Sequence, residues 1–326
     1  MAIFKRKINV QSEPNTGFGV NSENSSGRFY NRITGGANVV KRGVGILNKY
    51  SWYHTMLAMP RAKFLSFLLI VYIVINLFFA GIYYTIGIDH LAGVNQGSDI
   101  KNFSEVFFFS AQTFTTVGYG RISPVGFMAS AVSTFEAFLG LLSFALATGL
   151  FYGRFSRPRA FLSFSHNAII APYKDGIAFM FRMAPYKNNL LSEAEVKVNL
   201  AMQLDENGKM MNRFFNLDLE ISKINALALS WTIVHPINEK SPLYNFNYTD
   251  MVNAKIEALV FVKAFDEVFS NTVVQRFSYV ASEVVWGAKF RLMYHPDEKK
   301  EATILDMNKL NDYEKVELLS PVLAGQ

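Results

Sequence analysis

The stretch AQTFTTVGYGRISP, residues 111–124, decides the fold because of what lies on either side of it. The segment Phe64–Ile86 contains no charged residue, and the segment Val125–Tyr152 contains one, Glu136. About 20 apolar residues are enough for a helix to cross the ~30 Å hydrocarbon layer of a membrane. Two such lengths close together favour two membrane-spanning helices over buried core helices of a soluble protein. The quoted stretch, rich in threonine and glycine, then lies between two spans.

The composition agrees with a membrane part joined to a soluble part. Hydrophobic residues make up 50% of the chain and 30 residues are Phe, yet 18% are charged. The absence of cysteine excludes disulfides, thiolate metal sites and a cysteine nucleophile. The five histidines are scattered, and no HExxH, GxSxG or phosphate-binding glycine motif accompanies them. We therefore predict that the protein is not an enzyme and has no cofactor.

The charges next to the spans predict the orientation. Basic residues precede the first span and follow the second, whereas the connector between the spans is mixed or acidic. Because basic flanks stay inside, both termini are expected in the cytoplasm of a multi-pass protein of the cell (inner) membrane. A net charge of +6 without a long basic run suits an anionic membrane surface, and no nucleic-acid partner is expected.

The chain divides into four predicted parts. Residues 1–45 form an N-terminal cytoplasmic segment that is largely disordered, and residues 46–60 form an amphipathic helix along the inner membrane surface. An ordinary helix of the soluble domain remains an alternative for 46–60. Residues 61–157 form the transmembrane part. Short β-rich runs separated by turn signals such as YKDG predict an antiparallel β-sandwich over 158–326.

The transmembrane part holds two elements between its outer helix, 64–86, and its inner helix, 125–156. Residues 104–114 predict a helix capped by Ser104 that is too short to cross the membrane and must enter and return. Non-helical backbone over 115–120 is tolerated at that depth if it is buried in protein or lines a water-filled cavity. Gly118 and Gly120 permit backbone angles closed to other residues, so successive carbonyls can point to one side.

The segment TVGYG resembles the selectivity filter of potassium channels, and the resemblance extends over most of the chain from Arg28 onward. RFYNRITGGANV, GRFSRPRA, SWTIVHPINEKSPLY and RFSYVASEVVWGAKF are similar to segments of the inward-rectifier potassium channel family, and the chain looks like a bacterial member. The resemblance implies a homotetrameric pore, two transmembrane helices with a re-entrant pore helix, an immunoglobulin-like cytoplasmic sandwich, and passive conduction of K⁺.

The resemblance also implies roles for residues that match the family's pattern. K⁺ would bind at Thr116, Val117, Gly118 and Tyr119, with Gly120 completing the filter. Tyr152 falls at the crossing of the inner helices and is expected to be the gate, with packing against a neighbouring helix as the alternative.

Further matches concern hinges, block and lipids. Gly140 and Gly149 lie where the inner helix can bend, or where it packs closely. Phe144 stands where strong rectifiers carry an acid, which predicts weak block, and Glu193 matches an acid of the cytoplasmic pore. Anionic phospholipids or phosphoinositides are expected to bind a group of six basic residues near the inner leaflet. The alternative is that these residues only flank the membrane spans and bind no specific lipid. The six are Arg61, Lys63, Arg154, Arg157, Arg159 and Lys187.

Two charged residues near the filter need partners. Arg121 would repel cations at the outer mouth unless paired, and Asp89, Asp99 and Glu136 are the candidates. Glu136 is costly in lipid and is expected to bond to protein behind the filter.

Two other classes of protein compete with the channel. A membrane-anchored binding module would not need the glycine segment, and a pore with nucleotide-binding domains would show βαβ alternation.

Overall fold

The computed structural model of the protein describes residues 11–12, 28–43, 45, 51–206, 209–297 and 299–318. The chain forms two compact units. The helical unit is Arg42–Arg157, and the sandwich unit combines Met1–Lys41 with Pro158–Gln326.

The described residues of the helical unit form four α-helices. They are α1 (Trp52–Ala58), α2 (Arg61–Ile86), α3 (Asp99–Phe114) and α4 (Phe127–Phe155). Helices α2 and α4, of 26 and 29 residues, are long and apolar enough to cross a membrane. A 3₁₀ turn, Ile88–His90, leads into strand β1 (Leu91–Ala92), which pairs with strand β2 (Ser123–Pro124). Strand β2 follows the predicted filter segment, residues 115–120. Residues 46–50 of the predicted interfacial helix lie outside the described residues.

Helix α3 starts earlier than the sequence predicted, so the assignment of Ser104 as its N-cap is wrong. The helix begins at Asp99 after Ser98, and the Ser104 hydroxyl donates to the Ile100 carbonyl inside the helix, 2.7 Å away. Asp99 gives the first turn a negative charge, which the helix dipole favours at an N-terminus. A serine that bonds back to the preceding turn is compatible with a helix interior.

The core of the helical unit lies between α2 and α3 and includes Phe79, Tyr83, Val106 and Phe109. Tyr83 and Phe109 meet edge to face with ring centroids 5.1 Å apart. These residues recur at helical spacing on one side of each helix, which is why the short α3 packs along α2.

The described strands of the sandwich unit, with helix α5 (Tyr248–Asn253), are β3 (Leu162–Phe164), β4 (Ala168–Tyr173), β5 (Gly176–Pro185), β6 (Leu191–Glu206), β7 (Lys209–Asn216), β8 (Lys223–Leu227), β9 (Trp231–Ile237), β10 (Glu257–Asp266), β11 (Asn271–Val280), β12 (Val284–Trp286), β13 (Ala288–Phe290), β14 (Tyr294–Asp297), β15 (Ala302–Leu305) and β16 (Tyr313–Lys315). They form two five-stranded sheets and two two-stranded sheets, β13-β16 and β14-β15. Sheet A has the order β11-β10-β6-β7, with β8 also paired to β6; sheet B has the order β12-β4-β5-β3, with β9 also paired to β5. Pairing is antiparallel except between β12 and β4, which are parallel.

The two sheets share one hydrophobic core. Phe181 and Ile233 of sheet B and Val198 and Val260 of sheet A are buried in the same cluster. Alternate residues of a strand face opposite sides, so the apolar positions of β6 and β10 face sheet B. This arrangement confirms the β-sandwich fold class.

Residues 28–41 contact the sandwich and are not a separate disordered segment. The Arg28 guanidinium donates to the Glu283 carboxylate at 2.6 and 3.0 Å, and the Phe29 amide donates to the Glu257 carboxylate at 2.7 Å. An isolated β-bridge joins Tyr30 to Ala37. These contacts join Arg28 and Phe29 to acids more than 200 residues away, whereas residues 1–10 and 13–27 of the predicted segment lie outside the described residues.

Candidate ion-conducting site

The predicted filter segment has a backbone in which the sign of φ alternates from residue to residue. Thr116, Gly118 and Gly120 have positive φ values of 57°, 51° and 83°, whereas Val117 and Tyr119 between them do not. Because φ alternates in sign along these residues, successive carbonyls can point to one side. Left-handed backbone costs a β-branched residue such as Thr116 roughly 1–2 kcal/mol. Strain of this kind concentrates at functional sites.

The last turn of α3 holds the start of this segment. The Gln112 carbonyl accepts hydrogen bonds from the Val117 amide at 3.0 Å and the Gly118 amide at 3.4 Å. The Thr116 amide donates to the Thr113 carbonyl at 3.0 Å. The position of α3 therefore determines where the filter segment starts.

Arg121, directly after the filter segment, pairs with Glu105 of α3 and with none of the three acids considered from the sequence. Asp89 accepts from Gln96 at 3.1 Å, and Asp99 accepts from the Tyr84 hydroxyl at 3.4 Å. The earlier start of α3 places Glu105 in its second turn rather than at its beginning. Charge counting over the connector could have included Glu105 as a partner, since it is one of the few acids there.

Glu136 contacts protein on two sides, as its charge led us to expect. Its carboxyl group is fully buried and accepts from the Tyr83 hydroxyl at 2.7 Å. Its other oxygen lies 2.5 Å from the hydroxyl of Ser110 in α3. Glu136 thus joins α4 to both α2 and α3. Its contact on α3, Ser110, lies four residues before the end of that helix.

The two glycines of the inner helix differ in their surroundings. A β-carbon at Gly140 would lie 1.8 Å from the Phe114 carbonyl oxygen, whereas nothing lies within 4 Å of one at Gly149. Gly140 therefore permits close contact between α4 and the end of α3. Helix α4 is continuous through both positions.

Phe144 and Tyr152 lie on α4 and are exposed within one chain, at 73% and 75%. Phe144 lines a groove of about 650 Å³ together with Thr116 and Gly140. Phe144 therefore lies near Thr116 at the start of the predicted filter segment, and both aromatic side chains are exposed in the single chain.

Arg154 is engaged inside the helical unit. Its guanidinium donates to the carbonyls of Met56, at 3.0 Å, and Met59, and it lies 4.8 Å from the centre of the Phe64 ring. Arg61, Lys63 and Arg157 of the same unit are exposed. Arg159 and Lys187 belong to the sandwich unit, where the Lys187 ammonium lies 4.1 Å from the centre of the Phe161 ring.

Glu193 has a basic neighbour. The Lys223 ammonium lies 3.8 Å from its carboxylate, and Glu193 has a positive φ of 47°. The neighbouring lysine offsets the negative charge that this position would offer to a cation.

Comparison with known proteins completes the identification. The family model for the inward rectifier potassium channel C-terminal domain matches residues 162–324, and the ion channel model matches residues 68–157. The chain is 32% identical over 285 residues to the inward rectifier potassium channel Kirbac3.1 of Paramagnetospirillum magnetotacticum, covering 85% of this chain and 93% of the relative. It is 28% identical over 232 residues to inward rectifier potassium channel irk-1 of Caenorhabditis elegans, covering 65% of this chain and 43% of the relative.

A third relative is the ATP-sensitive inward rectifier potassium channel 12 of Gallus gallus. It is 27% identical over 259 residues, covering 73% of this chain and 58% of the relative. The matches include both the membrane helices and the β-rich domain. The chain therefore belongs to the inward rectifier potassium channel family and is a membrane ion channel, not an enzyme.

Proposed function

We propose that four copies of this chain surround one pore and that K⁺, the transported substrate, binds to backbone carbonyls of Thr116, Val117, Gly118 and Tyr119. Gly120 completes the filter. The observation that supports this proposal is the alternation of backbone hand at Thr116, Gly118 and Gly120. Rings of aligned carbonyls replace the hydration shell of the ion.

One chain offers these carbonyls to one side of an ion only, so the site needs several copies. Val117 and Tyr119 are 53% and 79% exposed in the single chain, although they are large and apolar or aromatic. In a homotetramer, neighbouring subunits would cover such side chains. The largely exposed surface of α4 fits the same assembly.

The gate in this proposal is the ring of four Tyr152 side chains near the inner end of α4. Its support is the exposure of Tyr152 and its distance along the helix from the filter. Bulky side chains that meet in a narrow pore exclude water and stop ion flow. Phe144 cannot attract Mg²⁺ or polyamines, and Lys223 beside Glu193 reduces attraction in the cytoplasmic pore, so block from inside should be weak.

Anionic lipid is the proposed modulator, with the sandwich and both termini in the cytoplasm. Arg61, Lys63 and Arg157 are exposed next to the predicted inner ends of the spans. Arg159 and Lys187 join them in the proposal through the family resemblance. Lys and Arg near a membrane surface bind anionic lipid, each contributing about 1 kcal/mol. Arg154 is better explained by its contacts with Met56 and Met59.

The proposal is tested by ion uptake into liposomes that contain the purified protein, with barium as blocker. Barium-sensitive uptake of K⁺ and Rb⁺ but not Na⁺ is expected. A Gly118→Ala variant should lose uptake, because its φ of 51° is unfavourable for alanine. Gly81→Ala is the matched control, since nothing lies within 4 Å of its β-carbon. Equal uptake of Na⁺ by the unmodified protein would contradict the filter assignment.

A further inference from the structure

The buried polar residues behind the filter form a chain of contacts across three helices. Tyr72, Asn76 and Tyr83 lie on α2, Ser110 on α3 and Glu136 on α4. Asn76, Ser110 and Glu136 are all 0% exposed in the single chain. Neighbouring subunits and lipid therefore cannot reach these polar atoms, and their hydrogen bonds must be satisfied within one chain.

The orientation of the Asn76 amide is fixed by the backbone of α2. One end of the amide lies 2.7 Å from the Tyr72 carbonyl oxygen, which accepts hydrogen bonds but cannot donate. That end must be the nitrogen. The Asn76 oxygen consequently faces the Ser110 hydroxyl, 3.1 Å away, and it too can only accept.

Ser110 has one proton for three acceptors. Its hydroxyl oxygen lies 3.1 Å from the Asn76 side-chain oxygen, 3.2 Å from the Asn76 backbone carbonyl oxygen and 2.5 Å from a carboxyl oxygen of Glu136. If Glu136 were a carboxylate, Glu136 and Asn76 would compete for the single Ser110 proton. Tyr83 donates to only one Glu136 oxygen, so either the Asn76 side-chain oxygen or the Glu136 oxygen that faces Ser110 would be left without a donor, which is costly for a buried group.

A neutral Glu136 removes this conflict. We infer that Glu136 is a protonated carboxylic acid and that it positions α3, and with it the filter, through a directional chain of hydrogen bonds. The Tyr83 hydroxyl donates to Glu136, the Glu136 acid proton is donated to Ser110, and Ser110 donates to Asn76. The Asn76 amide then donates to the Tyr72 carbonyl, so the chain starts and ends on α2.

The charges around Glu136 agree with this assignment. No Lys or Arg among the described residues forms an ion pair with Glu136. Glu136 accepts a hydrogen bond from one titratable group, the Tyr83 hydroxyl. On α3, the acid nearest to Ser110 in sequence is Glu105, and its charge is paired with Arg121. A buried carboxylate without a cationic partner is strongly disfavoured, most of all inside a membrane.

The consequence for conduction passes through α3. Ser110 lies two residues before Gln112, whose carbonyl accepts from the Val117 and Gly118 amides. A shift of α3 against α2 and α4 would therefore move the first residues of the filter. Glu136 is therefore a positioning residue. Its expected effect on selectivity rests on the filter proposed above.

Infrared difference spectroscopy tests the protonation state without any ion flux. The spectrum of the reconstituted wild-type protein is compared with that of Glu136→Gln at neutral pH. We expect the carbonyl stretch of a protonated carboxyl group in the wild type and its absence in the variant. If this band is not present in the difference spectrum, Glu136 is ionised and the inference is wrong.

Ion selectivity tests the positioning role. Glu136→Gln should keep the preference for K⁺ over Na⁺, because its amide can accept from Tyr83 and donate to Ser110. Glu136→Leu and Ser110→Ala should lower that preference about tenfold, since each leaves buried acceptors or donors unpaired. If Gln behaves like Leu, or if Leu and Ala retain full selectivity, the positioning role is refuted. A wild-type protein without K⁺ flux would contradict the proposed function, while the infrared band would still decide the state of Glu136.

Discussion

Arg121 is the charged residue next to the outer mouth of the proposed pore. It follows the filter segment immediately and is about half exposed, and its charge is compensated by Glu105 within the same chain. An exposed ion pair contributes little to stability, typically about 0–1 kcal/mol. Its effect is instead on the local potential that an approaching cation meets.

We predict that Glu105→Gln lowers K⁺ uptake, and more strongly at low ionic strength because salt screens exposed charges. The double variant Glu105→Gln/Arg121→Gln should recover most of the uptake. Asp89→Asn removes the same charge from the connector without touching Arg121 and serves as the control. Rubidium uptake at two salt concentrations is the measurement, and equal losses in Glu105→Gln and Asp89→Asn would contradict the prediction.

His235 is the residue that should couple stability of the sandwich to pH. Its ring nitrogens lie 2.7 Å from the Asp218 carbonyl oxygen and 2.7 Å from the Ser241 hydroxyl, and burial lowers its pKa. The unfolded chain therefore binds a proton at a higher pH than the folded one. The contribution of His235 to the stability of the fold is fully present above the pKa of about 6.5 in the unfolded chain, and it decreases as the pH falls below that value.

Thermal unfolding of the purified protein should accordingly show a midpoint that falls between neutral and mildly acidic pH. In His235→Asn this part of the pH dependence should disappear, even though the variant is less stable at every pH. His295→Asn is the control because His295 is exposed on strand β14. An unchanged pH profile in His235→Asn would show that another group is responsible.

The contact of α3 with α4 depends on a glycine. Gly140→Ala would place a β-carbon 1.8 Å from the Phe114 carbonyl oxygen, so one helix must move. Overpacking of this kind costs about 1–3 kcal/mol. We predict loss of K⁺ selectivity and a lower thermal midpoint, measured by uptake and by light scattering on heating. Gly81→Ala, whose β-carbon is unobstructed, should match the wild type. Normal selectivity in Gly140→Ala would favour the hinge hypothesis for this position.

The contact of α1 with α4 depends on Arg154, which caps the C-terminal carbonyls of α1. Charged donors satisfy the unpaired carbonyls at a helix end and interact favourably with its dipole. Gly153 allows the close approach, since a β-carbon there would lie 3.1 Å from the Tyr53 hydroxyl. Gly153 and Arg154 directly follow Tyr152, the proposed gate.

We predict that Arg154→Gln releases α1 and weakens it by about 1.5–3 kcal/mol, the usual contribution of charged hydrogen bonds. Hydrogen exchange of residues 52–59, followed by mass spectrometry, should become faster. Arg157→Gln removes the same charge three residues later and should leave this exchange unchanged. Equal exchange in the wild type and Arg154→Gln would return Arg154 to the group of lipid-binding candidates.

For the whole molecule, the sandwich unit is discontinuous in sequence. Arg28 and Arg32 both pair with Glu283, and the Phe29 amide caps Glu257. Burial raises the pKa of Glu257, whereas the hydrogen bonds from Phe29 and Tyr30 and the charge of Arg28 act against that rise. Without the N-terminal segment, the fragment 158–326 would expose two acids at this edge of the sheets.

A peptide of residues 28–41 added to the fragment 158–326 should therefore raise its thermal midpoint by several degrees, as expected for a ligand of the folded state. The same peptide with Arg28→Gln and Arg32→Gln should not. Differential scanning calorimetry measures the effect. Equal midpoints with and without the unmodified peptide would mean that these contacts contribute nothing to the sandwich.

The sequence alone predicted the elements whose signal is local. Long apolar runs, the second of them with the single charge of Glu136, identified α2 and α4, and short β-rich runs with turn residues identified the sandwich. Arg121 with Glu105, Arg154 with Met56 and Met59, and Arg28 with Glu283 could not be predicted in this way. Each pair joins separate elements, so its partner depends on packing, and several acids or carbonyls were equally available in the sequence.

The discontinuous sandwich unit has a consequence for biosynthesis. The ribosome releases residues 28–41 before their partner Glu283, which follows about 240 residues later and after both membrane helices in the sequence. At ordinary elongation rates this delay is roughly 10–50 s. The two basic arginines and Phe29 stay without their final contacts for that time, and a chaperone or the membrane surface itself can occupy them. The sandwich unit can therefore form its Arg28–Glu283 ion pair only after residue 283 has been translated.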